Sequence, residues 1–223
     1  MHRRKLLKSS ILAMFGVSFG FKTGMEIYNR CLDGLILPSN NGVKCALPSQ
    51  AEQDQKLLKP NKWGYHNLTY FVNNLDQDWN DEKVWLNEIK ESFDSWTAVT
   101  NVSFAQANDW EAADIIIGFS NRKRMGFGRA GNTLAWAQLP SSTKYNGQLW
   151  NMYDEAESWI LPDSGENGIL FRGVCAHEIG HLLGLGHSKY NSALMYPYYS
   201  NDIWTPQEKD DIPRIQRLYG KKK

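Results

Sequence analysis

His177-Glu178-Ile179-Gly180-His181-Leu182-Leu183-Gly184-Leu185-Gly186-His187 carries the pattern HExxHxxGxxH. Side chains four apart share a helix face, so His177 and His181 can aim two imidazoles at one metal ion. Glu178 sits beside the first ligand, where its carboxylate can reach a water held by that ion. Gly184 can end the helix, because glycine alone takes the left-handed conformation at low cost. The chain then turns and brings back His187 as a third ligand. Three histidines leave one tetrahedral position open, the arrangement of a catalytic rather than a structural zinc. HExxH alone arises by chance in unrelated chains; the third histidine makes the pattern specific for a zinc hydrolase.

Working outward, 223 residues fit one domain plus an extension and can bury a substantial core. A formal net charge of +1 argues against a nucleic-acid groove or a polybasic membrane surface. Nine tryptophans and ten tyrosines point to a packed body. Three of the five histidines lie in the motif; the others are His2 and His66.

Residues 1–21 join a basic head, including Arg3-Arg4, to a short apolar run, as an export signal of twin-arginine or general type does. An uncleaved anchor is the alternative, and would be the chain's membrane link. Residues 22–61 are polar and punctuated by Pro38, Pro48 and Pro60, as in a pro-segment or linker. After export, Cys31 and Cys45 could pair. Cys175, on the motif helix, reads as a small apolar packing group.

From Trp63 the chain is denser. Strands are expected at 68–72, 102–106, 113–119, 133–139 and 149–154. A helix is expected from an Asn80 cap to about Val99, with Leu86, Ile89, Phe93 and Trp96 as its buried stripe. Residues 122–132 read as a glycine-rich loop whose four basic residues form a solvated face. The motif helix should span 168–183. Thr205-Pro206-Gln207-Glu208 reads as a capping box opening a last helix that ends at Gly220, before a disordered 221–223 tail. Strands flanked by helices in this order indicate an α/β sheet domain.

Eight residues after His187 comes Met195, within Ala193-Leu194-Met195-Tyr196-Pro197. With Ser188 directly after the third histidine, this resembles the metzincins, and among them the matrixins. Lys62-Trp63, Leu68-Thr69-Tyr70, Ala113-Asp114-Ile115, Gly131-Asn132-Thr133-Leu134-Ala135 and Asp210-Asp211-Ile212 through Gly220 extend the resemblance over residues 62–220. It implies an α/β (α+β) fold: a twisted, mostly parallel sheet with an antiparallel cleft-edge strand, an active-site helix, a Met-turn and a C-terminal helix. It implies a zinc endopeptidase acting on protein or peptide substrates, a monomer without nucleic-acid partners. His177, His181 and His187 would hold zinc, Glu178 would be the general base, and Met195 would lie under the metal. The substrate would pair along residues 133–138. Gly173 matches the mouth of the main specificity pocket, and its missing side chain suggests room for a large apolar residue.

The chain departs from the matrixin pattern in three places. Trp136 and Met152 stand where two histidines of a second, structural zinc would be, so one zinc is expected. Asp154 and Glu157 match a calcium-binding pair, but Gly128 replaces the aspartate of the loop completing that site, leaving a pair typical of solvated surface. Lys44-Cys45-Ala46-Leu47-Pro48 echoes the segment whose cysteine thiolate holds matrixins latent by occupying the zinc. Cys45 is thus either a latency ligand or a disulfide partner of Cys31. The second functional class is a catalytically silent peptide-binding module; retention of every ligand, Glu178 and the Met195 turn favours the enzyme.

Overall fold

A computed structural model describes residues 61–76, 81–120, 127, 130–141 and 144–223. The export segment, Cys31, Cys45, Asn80 and most of the 122–132 loop, Gly128 included, lie outside the described residues.

β1 (Asn67–Val72), β2 (Ser103–Gln106), β3 (Ile115–Ser120), β4 (Ala135–Ala137) and β5 (Leu149–Asp154) form one sheet in the order β2-β1-β3-β5-β4. The first three pairings are parallel and β4 alone runs antiparallel, on β5. The apolar Ile115-Ile116-Ile117 is fully buried at the centre, as a strand covered on both faces requires. The expected strand at 133–139 shrinks to three paired residues, with the Gln138 N–H donating a further backbone bond to Trp150 O. β4 therefore remains a short edge.

α1 (Glu82–Thr97) begins one turn position later than an Asn80 cap would give, because Asp81 accepts the Lys83 N–H. Its buried stripe is Trp85, Ile89, Ser92, Phe93 and Trp96, and it includes Glu88. Leu86 is only half-buried; Trp85 takes the place expected for it. Glu88 is tolerated inside because Arg172 grips it through two nitrogens at 2.7 and 2.8 Å. Trp96 Nε1 donates to Ala176 O at 2.8 Å, fixing α1 against the motif helix.

The motif helix α2 (Phe171–Leu182) starts after the short β7 (Ile169–Leu170), which pairs with β6 (Trp159–Ile160). The apolar run from 169 is thus divided between strand and helix. At the other end, two orphan carbonyls are met by distant side chains. Trp63 Nε1 donates to Leu182 O at 2.8 Å, and the Tyr219 hydroxyl donates to Leu183 O at 2.9 Å.

The last helix, α3 (Asp211–Tyr219), starts at Asp211, not at Thr205. The Asp211 carboxylate accepts the Gln207 N–H, so 205–210 wraps as turns around it instead of adding a helical turn. Nor is the tail free: Lys221 bridges to Thr100, and Gly220 O accepts from Asn101 N and the Thr100 hydroxyl. Among the described residues, no helix is long and apolar enough to cross a membrane.

Candidate metal centre

α2 delivers His177 and His181 from one face, both fully buried. Gly184, at φ +96°, then reverses the chain. Gly184 N bonds to His181 O at 2.8 Å and Leu185 N to Gly180 O at 2.9 Å, the paired closure of a glycine-ended helix. His187 returns with its ring centroid 5.4 Å from that of His177 and 5.0 Å from that of His181. One ligand atom from each histidine lies within 4.8 Å of the others, and among the described residues this is the group of His, Cys, Asp or Glu placed to converge on an ion.

The orientation of two rings follows from their backbone partners. His177 Nδ1 is 2.7 Å from Leu194 O, and His181 Nδ1 is 2.7 Å from Leu185 O. A carbonyl can only accept, so each Nδ1 carries the proton and each Nε2 is the nitrogen that can act as a metal ligand. His177 Nε2 is buried with no hydrogen-bond partner, an arrangement that a protein rarely leaves without a ligand. Burial, reinforced by His187, lowers the His177 pKa to about 3, against a smaller opposing pull from Leu194 O. Burial, then His177 and His187, holds His181 well below its usual range. Neutral imidazole is the metal-binding form, in which burial holds His177 and His181; with His187 they make a set of three nitrogen donors that fits a zinc ion.

Met195 is fully buried, and Met195 O accepts from Ser188 N at 2.7 Å. A Cβ on Gly180 would meet Met195 Sδ at 2.3 Å and Trp96 Cζ2 at 2.8 Å. The glycine between the two helical histidines is therefore what lets the Met195 turn press against α2. Asp211 fixes that turn, accepting from Leu194 N at 2.7 Å and Met195 N at 3.2 Å.

Glu178 is fully buried. The Tyr199 hydroxyl donates to Glu178 Oε1 at 2.5 Å, while the Tyr199 ring stands edge-on to His177 at 5.0 Å. The carboxylate is thereby held beside the first histidine. Sequence reasoning missed both Tyr199 and Asp211. Each acts across a tertiary contact that no local spacing announces, though a tyrosine shortly after the Met-turn and the Asp210-Asp211 pair were visible signals.

At Gly173 a Cβ would lie 2.9 Å from Ile203 O and 3.8 Å from Ser200 O, so this position accepts no larger side chain without a shift of backbone. The 200–203 segment that supplies this backbone is tied down by Asn201 bonds to Leu170 N and Gly168 O. Asp154 and Glu157 are not a solvated pair; they are 1% and 9% exposed. Burial raises both pKa values, opposed by N–H bonds from Ala156 and Gly131 respectively, and Asp154 Oδ2 is buried without a hydrogen-bond partner. Trp136 and Met152 face each other in register across β4 and β5, and the Met152 thioether lies 3.1 Å from where a Gly118 Cβ would be. Cys175 is buried and its thiol is pushed up to about 12 by burial, as an inert packing group would be.

The family model described as Matrixin matches residues 62–220. The chain is 35% identical over 187 residues to matrilysin of Rattus norvegicus, covering 80% of this chain and 66% of that protein. It is 38% identical over 166 residues to human matrix metalloproteinase-26, covering 72% and 60%. With metalloendoproteinase 1-MMP of Arabidopsis thaliana it shares 35% over 173 residues, covering 71% and 44%. The chain thus spans about half to two thirds of the length of these relatives.

Proposed function

The chain belongs to the matrixin family, and from that membership we propose that it is a zinc-dependent endopeptidase hydrolysing protein or peptide substrates. The observation that carries the proposal is the convergence of His177, His181 and His187, the first two fully buried. These three would hold the zinc. The ion supplies a Lewis acid that polarises the scissile carbonyl and acidifies a water near neutral pH. Glu178 accepts the proton of the attacking water and passes it to the leaving amine. Tyr199 orients that carboxylate through its hydrogen bond. The outer side of β4 is a sheet edge, so an extended peptide can add to it by main-chain pairing.

The decisive test is Glu178→Gln. The wild type should cleave casein or a peptide library; the variant should retain one equivalent of zinc and lose cleavage. Persistent cleavage by the variant would refute the assignment of the base, and two zinc equivalents in the wild type would refute the single-site reading.

Three finer features belong to the same proposal. Residues 1–21 direct export and 22–61 form a pro-segment. Cys45 holds the enzyme latent through its thiolate; Cys45→Ala should raise the activity of the unprocessed full chain, and unchanged activity would leave the Cys31 disulfide instead. Asp154 and Glu157 contribute two of the roughly six to eight oxygens of a calcium shell. Their burial and the unpartnered Asp154 Oδ2 support this. A melting temperature insensitive to calcium would count against it.

A further inference from the structure

The three histidines are not steered alike. His177 and His181 sit on a helix and donate Nδ1–H to the carbonyls of Leu194 and Leu185. His187 lies beyond the helix end, between Gly186 and Ser188, so the loop backbone that carries it contributes to its placement. Both peptide groups flanking it are held. Ser188 N, on the far side, donates to Met195 O at 2.7 Å. Gly186 O, on the near side, accepts from Arg214 Nη2 at 2.7 Å.

Arg214 comes from α3, 28 residues further along the chain. Its other terminal nitrogen, Nη1, donates to Asp210 Oδ2 at 3.0 Å, one helical turn back. The guanidinium and the carboxylate are 20% and 17% exposed, sheltered enough to hold a defined geometry. Asp211, next to Asp210, secures Leu194 and Met195. The start of α3 thus grips two segments at once: the turn whose carbonyl orients His177, and the loop that presents His187.

We propose that Arg214 is a positioning residue for the third metal ligand: anchored on Asp210, it fixes the Gly186 carbonyl and so sets the reach of His187 toward the other two imidazoles. The proposal rests on the zinc-peptidase reading above. The planar fork presents Nη1 and Nη2 to the two acceptors at a fixed spacing; a lysine ammonium gathers its donors on one nitrogen at the end of a flexible stem and cannot reproduce that geometry. Groups that orient a ligand from behind commonly change metal affinity about 10–100-fold when removed.

The experiment measures zinc affinity of the full chain by competition with a chromophoric chelator, together with the visible absorption of the cobalt(II)-substituted protein. Arg214→Ala is expected to weaken zinc binding about 10–100-fold and to shift the cobalt bands. Arg214→Lys, which keeps charge and stem, should lose most of the same affinity; it also decides the matter if the alanine variant does not fold. Arg172→Ala serves as the comparison. It breaks the Glu88 pair and should lower the melting temperature while leaving zinc affinity and cobalt spectrum as in the wild type. Wild-type affinity and spectrum in both Arg214 variants would overturn the proposal. Equal losses in Arg172→Ala would overturn it too, by tracing the effect to general destabilisation. A wild type that binds no zinc would remove the peptidase reading itself, and this proposal with it.

Discussion

Gly184→Ala tests how tightly the end of the motif helix is built. Gly184 has φ +96°, where a Cβ is strained, and forcing a non-glycine residue there costs about 1–2 kcal/mol. Space is also short: the added Cβ would lie 2.2 Å from Asn61 O. The Asn61 carbonyl would have to retreat by more than about 1 Å to reach ordinary contact. It cannot do so freely, because Trp63, two residues on, is tied to Leu182 O at 2.8 Å and to the Tyr219 hydroxyl at 3.1 Å. Overpacking of this kind adds about 1–3 kcal/mol, while restricting the unfolded chain returns about 0.4–1 kcal/mol. The expected loss is about 3 kcal/mol, a fall in melting temperature of roughly 6–12 °C for a domain of this size. Gly131→Ala is the matched comparison, at φ +85° with nothing within 4 Å of the added Cβ. It carries the strain without the collision and should cost about 1 kcal/mol. Thermal and urea unfolding of zinc-saturated protein measure both. If Gly184→Ala proves no more costly than Gly131→Ala, the close approach of Asn61 does not constrain the helix end and the reasoning fails.

Three further outcomes are expected. Tyr199→Phe removes the hydroxyl bonded to Glu178 and should lower kcat about tenfold, a share of the roughly 1.5–3 kcal/mol of a hydrogen bond to a charged group, with zinc content unchanged; undiminished kcat would show that the bond does not orient the Glu178 carboxylate for catalysis. Asp211→Ala strips the acceptor from three N–H groups, of Leu194, Met195 and Gln207. At about 1–3 kcal/mol for each buried donor left unmet, urea unfolding should show a loss above roughly 3 kcal/mol. Chelation of zinc should lower the melting temperature by roughly 5–10 °C, from the approximately 2.7 kcal/mol that a ligand contributes at a hundred times its Kd, and zinc should restore it; a melting temperature blind to chelator would argue against a bound metal that supports the fold.

The local sequence rules succeeded where a short-range cause governs the outcome. The isoleucine run at 115–117 is the buried central strand, and residues 149–154 are β5 as expected. His177, Glu178 and His181 share a helix, and Gly184 ends it. The same rules failed where distant groups compete with local preference. The capping box at Thr205 did not open α3, because the Asp211 carboxylate drew Gln207 N into a turn. Glu88 broke the apolar stripe of α1 because Arg172 meets it from another helix.

By itself, then, the sequence determined the donor set and its chemistry. The 3.6-residue period places two imidazoles on one face whatever surrounds them, and a glycine with positive φ turns the chain back toward them. The tertiary structure decided how those donors are held and how the Glu178 carboxylate is oriented. Tyr199 reaches Glu178 across 21 residues, and Arg214 reaches Gly186 across 28. Such contacts depend on where packed elements come to rest, which follows from burial across the whole core and not from any spacing along the chain.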